Sequence, residues 1–276
     1  MNFEGEIITS RQNRIVVDAV KLGDKKAREK SRLFKFDGFK LLGEALEKNV
    51  AIKRILVSES KSEQLFQRIS GLKRNGGNIA VSVLSDELFL RVSEEQAPEG
   101  VICIAEYPCH HSINATADTL KTLAMDFSKR ILMLESLRDP GNMGTVLRTA
   151  AAFGIDAVIV SRDCADVYNP KTVRAAMGAL FKVSVLSCDD FIGAIEILKN
   201  SGRRVYAAAL DKNAVRLDEA EFERFDTAVI GNEGHGLSQN AVSACTKSLY
   251  IPMEDGCESL NAAIAASVIM WSMYKK

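Results

Sequence analysis

Three turns decide the fold of this chain: Asn142-Met-Gly-Thr-Val-Leu-Arg148, Gly231-Asn-Glu-Gly-His-Gly236 and Ile251-Pro-Met-Glu-Asp-Gly-Cys-Glu-Ser-Leu-Asn261. Each is polar, carries glycine, and lies between an apolar strand-like run and a helix-like run. Turns of this kind, at the carboxyl ends of strands, are where open α/β sheets bind ligands. Around them, from Arg130 onward, short apolar runs at 131–134, 157–160, 183–186, 205–210, 227–230 and 249–251 alternate with helical patterns. That alternation predicts an α/β domain with a mainly parallel sheet covered by helices on both faces.

Upstream the same alternation is weaker. Residues 12–31 read as helical, with Ile15, Val16, Ala19 and Leu22 on one face. Strands are predicted at 52–58, 79–84 and 100–107 and helices at 62–73 and 86–92, the first helix being stopped by Asn75-Gly76-Gly77. A length of 276 residues suits two domains. We expect a small α/β domain at 1–108, a polar linker at 109–128 with a short helix near Leu120, and the larger domain at 129–276. The linker contains adjacent His110 and His111. Only Cys109 stands near them as a ligand type, so a solvated linker is expected there and no metal site.

The apolar fraction of 47% and the charged fraction of 26% are those of an ordinary globular chain. Lys plus Arg (36) equals Asp plus Glu (36), so net charge says nothing about a polyanionic partner. The distribution does: between Arg11 and Arg54 stand 13 basic and 6 acidic residues. Arg11, Arg14, Lys25, Lys26, Arg28, Arg32 and Lys35 are therefore candidate RNA-phosphate contacts, set against the plainer reading of a solvated helix surface. The six cysteines form no C-x-x-C pair, which fits reduced thiols in the cytoplasm better than zinc or disulfides. The start, Met-Asn-Phe-Glu-Gly-Glu, has no signal-peptide character, and the apolar run at 260–273 is too short for a membrane span. No membrane partner is expected.

Taken one at a time, the turns have modest chemistry. Pro140 and Gly141 force a turn, Asn142 fits a helix N-cap, and Arg148 alone reads as a surface charge. Neither a G-x-G-x-x-G nor a Walker A sequence is present. Glu233 is more telling, because it puts a carboxylate between glycines directly after a strand, where the backbone can approach a ligand closely. His235 has the type of a general base but the position of an exposed turn residue. Pro252 cannot donate to a ladder, so its strand should end or reach an edge. Ser259 sits where an N-cap belongs, and Leu260-Asn261 opens a helix of small residues suited to a crowded core or a subunit interface.

In this order and with these residues, the three turns resemble the signature motifs of the SpoU (TrmH-type) family of SPOUT RNA 2′-O-ribose methyltransferases. The resemblance covers residues 130–274, and residues 169–178 also look like a family segment. The first hundred or so residues resemble the ribosomal-protein-like RNA-binding domain carried by many of these enzymes, with Asp37-Gly38 standing for the usual Glu-Gly turn. The resemblance implies a C-terminal trefoil knot, which general topology rules disfavour. It implies methyl transfer from S-adenosylmethionine, held by Leu210, Gly231, Ile251, Met253 and Leu260. Asn142, Arg148, Glu233, Ser259 and Asn261 are the implied catalytic set. Because a guanidinium stays protonated, Arg148 is better suited to stabilising charge on the ribose oxygen than to acting as a plain base. The family implies a homodimer acting on structured RNA, with 23S rRNA favoured over tRNA. A non-catalytic RNA-binding protein would lose these polar residues first, and a dinucleotide-dependent enzyme would need the missing glycine fingerprint.

Overall fold

The computed structural model describes residues 6–72, 79–95, 97–254, 256 and 259–275. The chain divides into two compact units, Met1–Pro108 with Tyr168–Phe181, and Cys109–Val167 with Lys182–Lys276.

The first unit begins with helices α1 (Arg14–Lys21) and α2 (Lys25–Ser31), where one helix was predicted. Leu22 closes α1, and Asp24 caps α2 by accepting from Ala27 N–H at 3.1 Å, so the Gly23-Asp24 step breaks the run. Then follow β1 (Leu33–Asp37), α3 (Phe39–Glu47), β2 (Ile52–Ser58), α4 (Ser62–Leu72), β3 (Ala80–Leu84), α5 (Asp86–Val92) and β4 (Val101–Glu106). The sheet order is β1-β4-β2-β3, with β4 antiparallel to β1 and β2, and β2 parallel to β3. β1 escaped the sequence reading because Lys35 interrupts its apolar run, yet Lys35 is buried with Phe34 and Phe36. Gly38 starts α3 at φ +104°, a conformation that needs glycine.

The second unit holds α6 (Ala117–Met125), β5 (Ile131–Leu134), α7 (Pro140–Ala152), β6 (Ala157–Ser161), β7 (Ser184–Cys188), α9 (Phe191–Asn200), β8 (Val205–Ala208), β9 (Val215–Arg216), β10 (Thr227–Ile230), α10 (Gln239–Ala244), β11 (Lys247–Tyr250) and α11 (Ala262–Tyr274). Its seven strands run β7-β6-β5-β10-β8-β11-β9, every pair parallel. Each predicted strand is present within two residues or so at its ends; the two-residue β9 carried too little pattern to be seen. β8 lies between β10 and β11, both of which follow it in the chain. β5, β6 and β10 are buried along their whole length, the condition of a sheet covered on both faces.

Between β6 and β7 the chain supplies α8 (Pro170–Ala176) to the first unit. Tyr168 stacks on Tyr107 with ring centroids 3.6 Å apart, Phe181 packs against Phe34 and Phe36, and Arg174 Nε donates to Glu95 Oε1 at 3.0 Å. Nothing in the βα pattern announces this change of partner.

The stretch 109–128 is structured within the second unit. Ser112 and Ala115 N–H groups donate to the carbonyls of Val185 and Ser187, and Leu120 and Ala124 of α6 enter the core. His111, expected to be solvated, is buried with a ring nitrogen 3.0 Å from Val183 O. Backbone pairing beside β7 carries it inside, and a buried imidazole needs such a partner. Arg203 is a buried tie for this stretch: Nε donates to Ala124 O at 2.8 Å, and Nη1 to Lys129 O and Phe225 O at 3.0 and 2.8 Å. No helix among the described residues is long and apolar enough to cross a membrane. We expect Arg203→Leu to strand those carbonyls and lower the unfolding free energy by about 3 kcal/mol or more, read as a lower urea midpoint at unchanged slope.

Candidate active site

The carboxyl ends of the adjacent strands β5 and β10 bring the first two turns together. After β5, Asp139 caps α7, its Oδ1 accepting from Asn142 N–H at 2.7 Å, with Pro140 at the first helical position. The cap expected of Asn142 therefore belongs to Asp139, which frees the Asn142 side chain. Its Nδ2 donates to Glu233 Oε1 at 3.0 Å and its Oδ1 accepts from Asn261 Nδ2 at 3.1 Å. A second cap is also reassigned. Asn261, not Ser259, caps α11, because its Oδ1 reaches Ala263 N–H at 2.9 Å and Ile264 N–H at 3.3 Å.

The turn after β10 folds back sharply. A Cβ on Gly231 would sit 2.2 Å from Gly236 C, so only glycine fits. Asn232 and Gly236 exchange backbone hydrogen bonds at 2.9 and 3.0 Å, and Asn232 Nδ2 ties the turn to Ser136 O at 2.7 Å. The fold-back turns the Glu233 carboxylate to the start of α7. Besides Asn142, it accepts from Asp139 N–H at 3.2 Å, Arg138 N–H at 3.4 Å and Asn232 Nδ2 at 3.3 Å. Partial burial alone would raise its pKa. The donors from Asn142, its own backbone, Asp139 and Arg138 outweigh that and hold it below the ordinary 4.5. Glu233 is thus an ionised acceptor at a helix N-terminus, where negative charge is favoured.

Asn142, Glu233 and Asn261, one from each turn, therefore form one hydrogen-bonded cluster. The remaining two expected residues lie outside it. Arg148 is exposed two turns along α7, and its side chain has no ion pair or hydrogen bond among the described residues. Its Cα lies about 9 Å along the helix axis from that of Asn142. Ser259 is exposed ahead of α11. His235 is exposed at the turn tip, with its backbone N–H held by Asn232 Oδ1.

On the other side of β10 lie the ends of β8 and β11. Leu210 is 83% exposed and Met253 41% exposed, with Ile251 and Leu260 half-buried. Apolar side chains left open at the carboxyl ends of neighbouring strands suit a flat apolar ring, as ligand sites in parallel sheets do. This arrangement, apolar walls beside a polar cluster, fits S-adenosylmethionine. Among the described residues no group of His, Cys, Asp or Glu is arranged to hold a metal.

In the first unit, Arg11, Arg14, Lys25, Lys26 and Arg32 are exposed. Two of the basic candidates are corrected. Arg28 is 1% exposed and donates to Leu22 O and Gly23 O at 2.8 Å; Lys35 is 5% exposed, donates to Val92 O at 2.6 Å and pairs with Glu94 at 3.1 Å. A charge buried and satisfied internally does not reach a phosphate. The sequence reading also missed Asp139 and Asn232, which build the cluster. The Asp-Pro step at a helix start was the available signal for the first.

Residues 129–271 match the family model of the SpoU rRNA Methylase family, and residues 13–103 match that of the MRM3-like substrate binding domain. The chain is 32% identical to the 23S rRNA (guanosine(2553)-2′-O)-methyltransferase RlmP of Bacillus subtilis (strain 168), over 96% of this chain and 98% of that protein. It is 27% identical to the 23S rRNA (uridine(2479)-2′-O)-methyltransferase of Streptomyces viridochromogenes, over 98% and 92% respectively. It superposes on the AdoMet-bound rRNA methyltransferase from Sinorhizobium meliloti with a TM-score of 0.80 at 26% identity, covering 98% of this chain and 97% of that one. The chain belongs to the SpoU rRNA methylase family of methyltransferases.

The depressed pKa of Glu233 has a measurable sign. Its stabilising contribution is present above the unfolded value of about 4.5 and is lost as pH falls through the lower folded value. Glu233→Gln should be less stable than wild type at pH 7, and the gap between their urea midpoints should close as the pH is lowered below 4.5.

Proposed function

We propose that this protein is a homodimeric, cytoplasmic enzyme that methylates a ribose 2′-hydroxyl of 23S rRNA. The observation that carries this reading is the Asn142–Glu233–Asn261 cluster beside the apolar loop ends of β8 and β11. The 23S rRNA 2′-O activity of the Bacillus and Streptomyces relatives supports the substrate, and the MRM3-like match supports an RNA-binding role for residues 1–108. Exposed Arg11, Arg14, Lys25, Lys26 and Arg32 supply that domain with phosphate contacts. The methyltransferase activity belongs in this reading to the second unit, Cys109–Val167 with Lys182–Lys276. The strand order, with β8 flanked by the later β10 and β11, supports the trefoil knot of the family.

When bound, S-adenosylmethionine supplies a methyl group already activated on a sulfonium. Leu210, Gly231, Ile251, Met253 and Leu260 hold it, and Ser259 positions the loop before α11. The chain's remaining task is to align the ribose oxygen and take care of its charge. Ionised Glu233 fixes the Asn142 amide, and Asn142 in turn fixes Asn261. Arg148 grips the RNA phosphate and stabilises negative charge developing on the 2′-oxygen. The proton leaves to the phosphate or to water.

The dimer rests on α11. Ile264, Val268 and Trp271 stand exposed at helical spacing, and Trp271 and Tyr274 cluster with Phe153. A second copy on this stripe is the state in which exposed Arg148 joins a complete site.

The test of the function is radiolabelled methyl transfer from S-adenosylmethionine to total RNA of a strain lacking the protein, with ribose methylation mapped afterwards. Label in 23S rRNA is expected. Label confined to tRNA overturns the substrate, and absence of label overturns the activity. In single-turnover assays Arg148→Ala should slow methylation on the order of a hundredfold while cofactor affinity changes little. Arg148→Lys should rescue poorly, since an ammonium lacks the planar fork. The double variant Ile264→Asp, Trp271→Arg should be monomeric by light scattering where the wild type is dimeric.

A further inference from the structure

Beside the active-site cluster, on the side away from Leu210 and Met253, the ends of β5, β6 and β7 carry two arginines outside all three motifs. Arg138 precedes the Asp139 cap, and its backbone N–H lies 3.4 Å from the Glu233 carboxylate. Its side chain is 70% exposed and extends to the end of β6, where Nη2 donates to Asp163 Oδ2 at 3.2 Å. Arg162 directly follows β6 and donates through Nη1 to Asp189 Oδ1, just past β7, at 3.0 Å.

Exposed ion pairs contribute little stability on their own, yet the first of these is heavily supported. Asp163 accepts from Ser136 Oγ at 2.6 Å and from Ser161 Oγ at 2.7 Å, and Ser161 is buried. Ser136 stands at φ +55°, a strained conformation for a residue with a side chain. Its N–H donates to Ser161 Oγ at 2.8 Å, and its carbonyl holds Asn232, whose neighbour is Glu233. Hydrogen bonds therefore run without a gap from Arg138 through Asp163, Ser136 and Asn232 into the catalytic cluster. Each aspartate engages one terminal nitrogen of its arginine. Among the described residues the other N–H donors of each guanidinium fork have no partner and can take a phosphate.

We propose that Arg138 and Arg162 form a two-arginine phosphate track on the β5–β7 rim, gripping the RNA strand that flanks the methylated ribose, with Asp163 as the positioning residue for Arg138. This rests on the RNA methyltransferase reading above. A track set on the opposite side of the cluster from the cofactor loops lets RNA and S-adenosylmethionine bind without competing for the same groups. It also links the grip on the strand to the atoms that orient the ribose.

The test uses the full-length protein, an unmodified 23S rRNA transcript and labelled S-adenosylmethionine. For Arg138→Ala with Arg162→Ala, the loss should fall on KM for the transcript, rising about tenfold, rather than on kcat. The slope of log affinity against log salt should flatten by about 0.7 per arginine, the value for a single-strand phosphate contact. Cofactor affinity and thermal midpoint should match wild type. Arg138→Lys should keep the salt slope while recovering only part of the KM loss. Asp163→Asn should raise KM with the salt slope undiminished, because the arginine charge stays while its direction is lost; a merely structural aspartate would move the thermal midpoint and leave KM alone. Wild-type KM and salt slope in the double variant, in a preparation whose wild type methylates the transcript, overturn the track alone. No methylation and no salt-dependent binding by the wild type overturn the underlying reading, and the track with it.

Discussion

The hydrogen bond between Asn142 and Glu233 is the constraint on which the site depends. It joins the ends of β5 and β10, and it forms only because several local choices agree. Gly231 permits the fold-back that carries Glu233 to α7. Asp139 takes the helix cap, leaving Asn142 free to reach across. Asn261 then uses one end of its amide to cap α11 and the other to hold Asn142. Glu233 accepts through both carboxylate oxygens and both asparagines use the two ends of their amides, so rotation of one would leave a partner unsatisfied. That cost is what gives polar clusters their rigidity.

Rigidity suits the chemistry. In the proposed reaction a sulfonium methyl needs no further activation, so the protein's task would be alignment and charge stabilisation, both of which fail with small displacements. The parallel sheet supplies the frame: β5 and β10 are fully buried, and Asn142 and Glu233 stand on the turns just beyond them. Arg148 is the exception, exposed and unpaired among the described residues. Its openness leaves the guanidinium available for the role in RNA contact proposed above.

The buried charges teach a different lesson. Arg28, Lys35 and Arg203 belong by composition to the surface, yet each is nearly inaccessible and spends its donors mainly on backbone carbonyls. Burying a charge is costly unless it is satisfied in this way. These residues serve as ties between elements: Arg28 closes the turn between the first two helices, Lys35 reaches the end of α5, and Arg203 gathers the end of α6 with the loop before β5 and the loop before β10. In the first unit Asp37, near Lys35, has its pKa pushed by burial to about 6.

What the sequence by itself determined was everything local. Apolar runs of strand length placed six of the seven strands of the larger sheet, and the glycine-bearing turns after them marked where the site had to be, because period and turn chemistry are properties of neighbouring residues. The identity of the three turns was likewise legible in their residues and order. What only the tertiary structure decided were matters of long-range partnership. The burial of Lys35 within β1, the docking of Tyr168–Phe181 in the first unit, the burial of His111, and the bonds of Asn142 to Glu233 and Asn261 all depend on groups brought close from elsewhere in the chain. A lysine reads as a surface charge and an asparagine as a cap until the fold supplies a carbonyl or a carboxylate at hydrogen-bond distance. Linear spacing does not contain that distance.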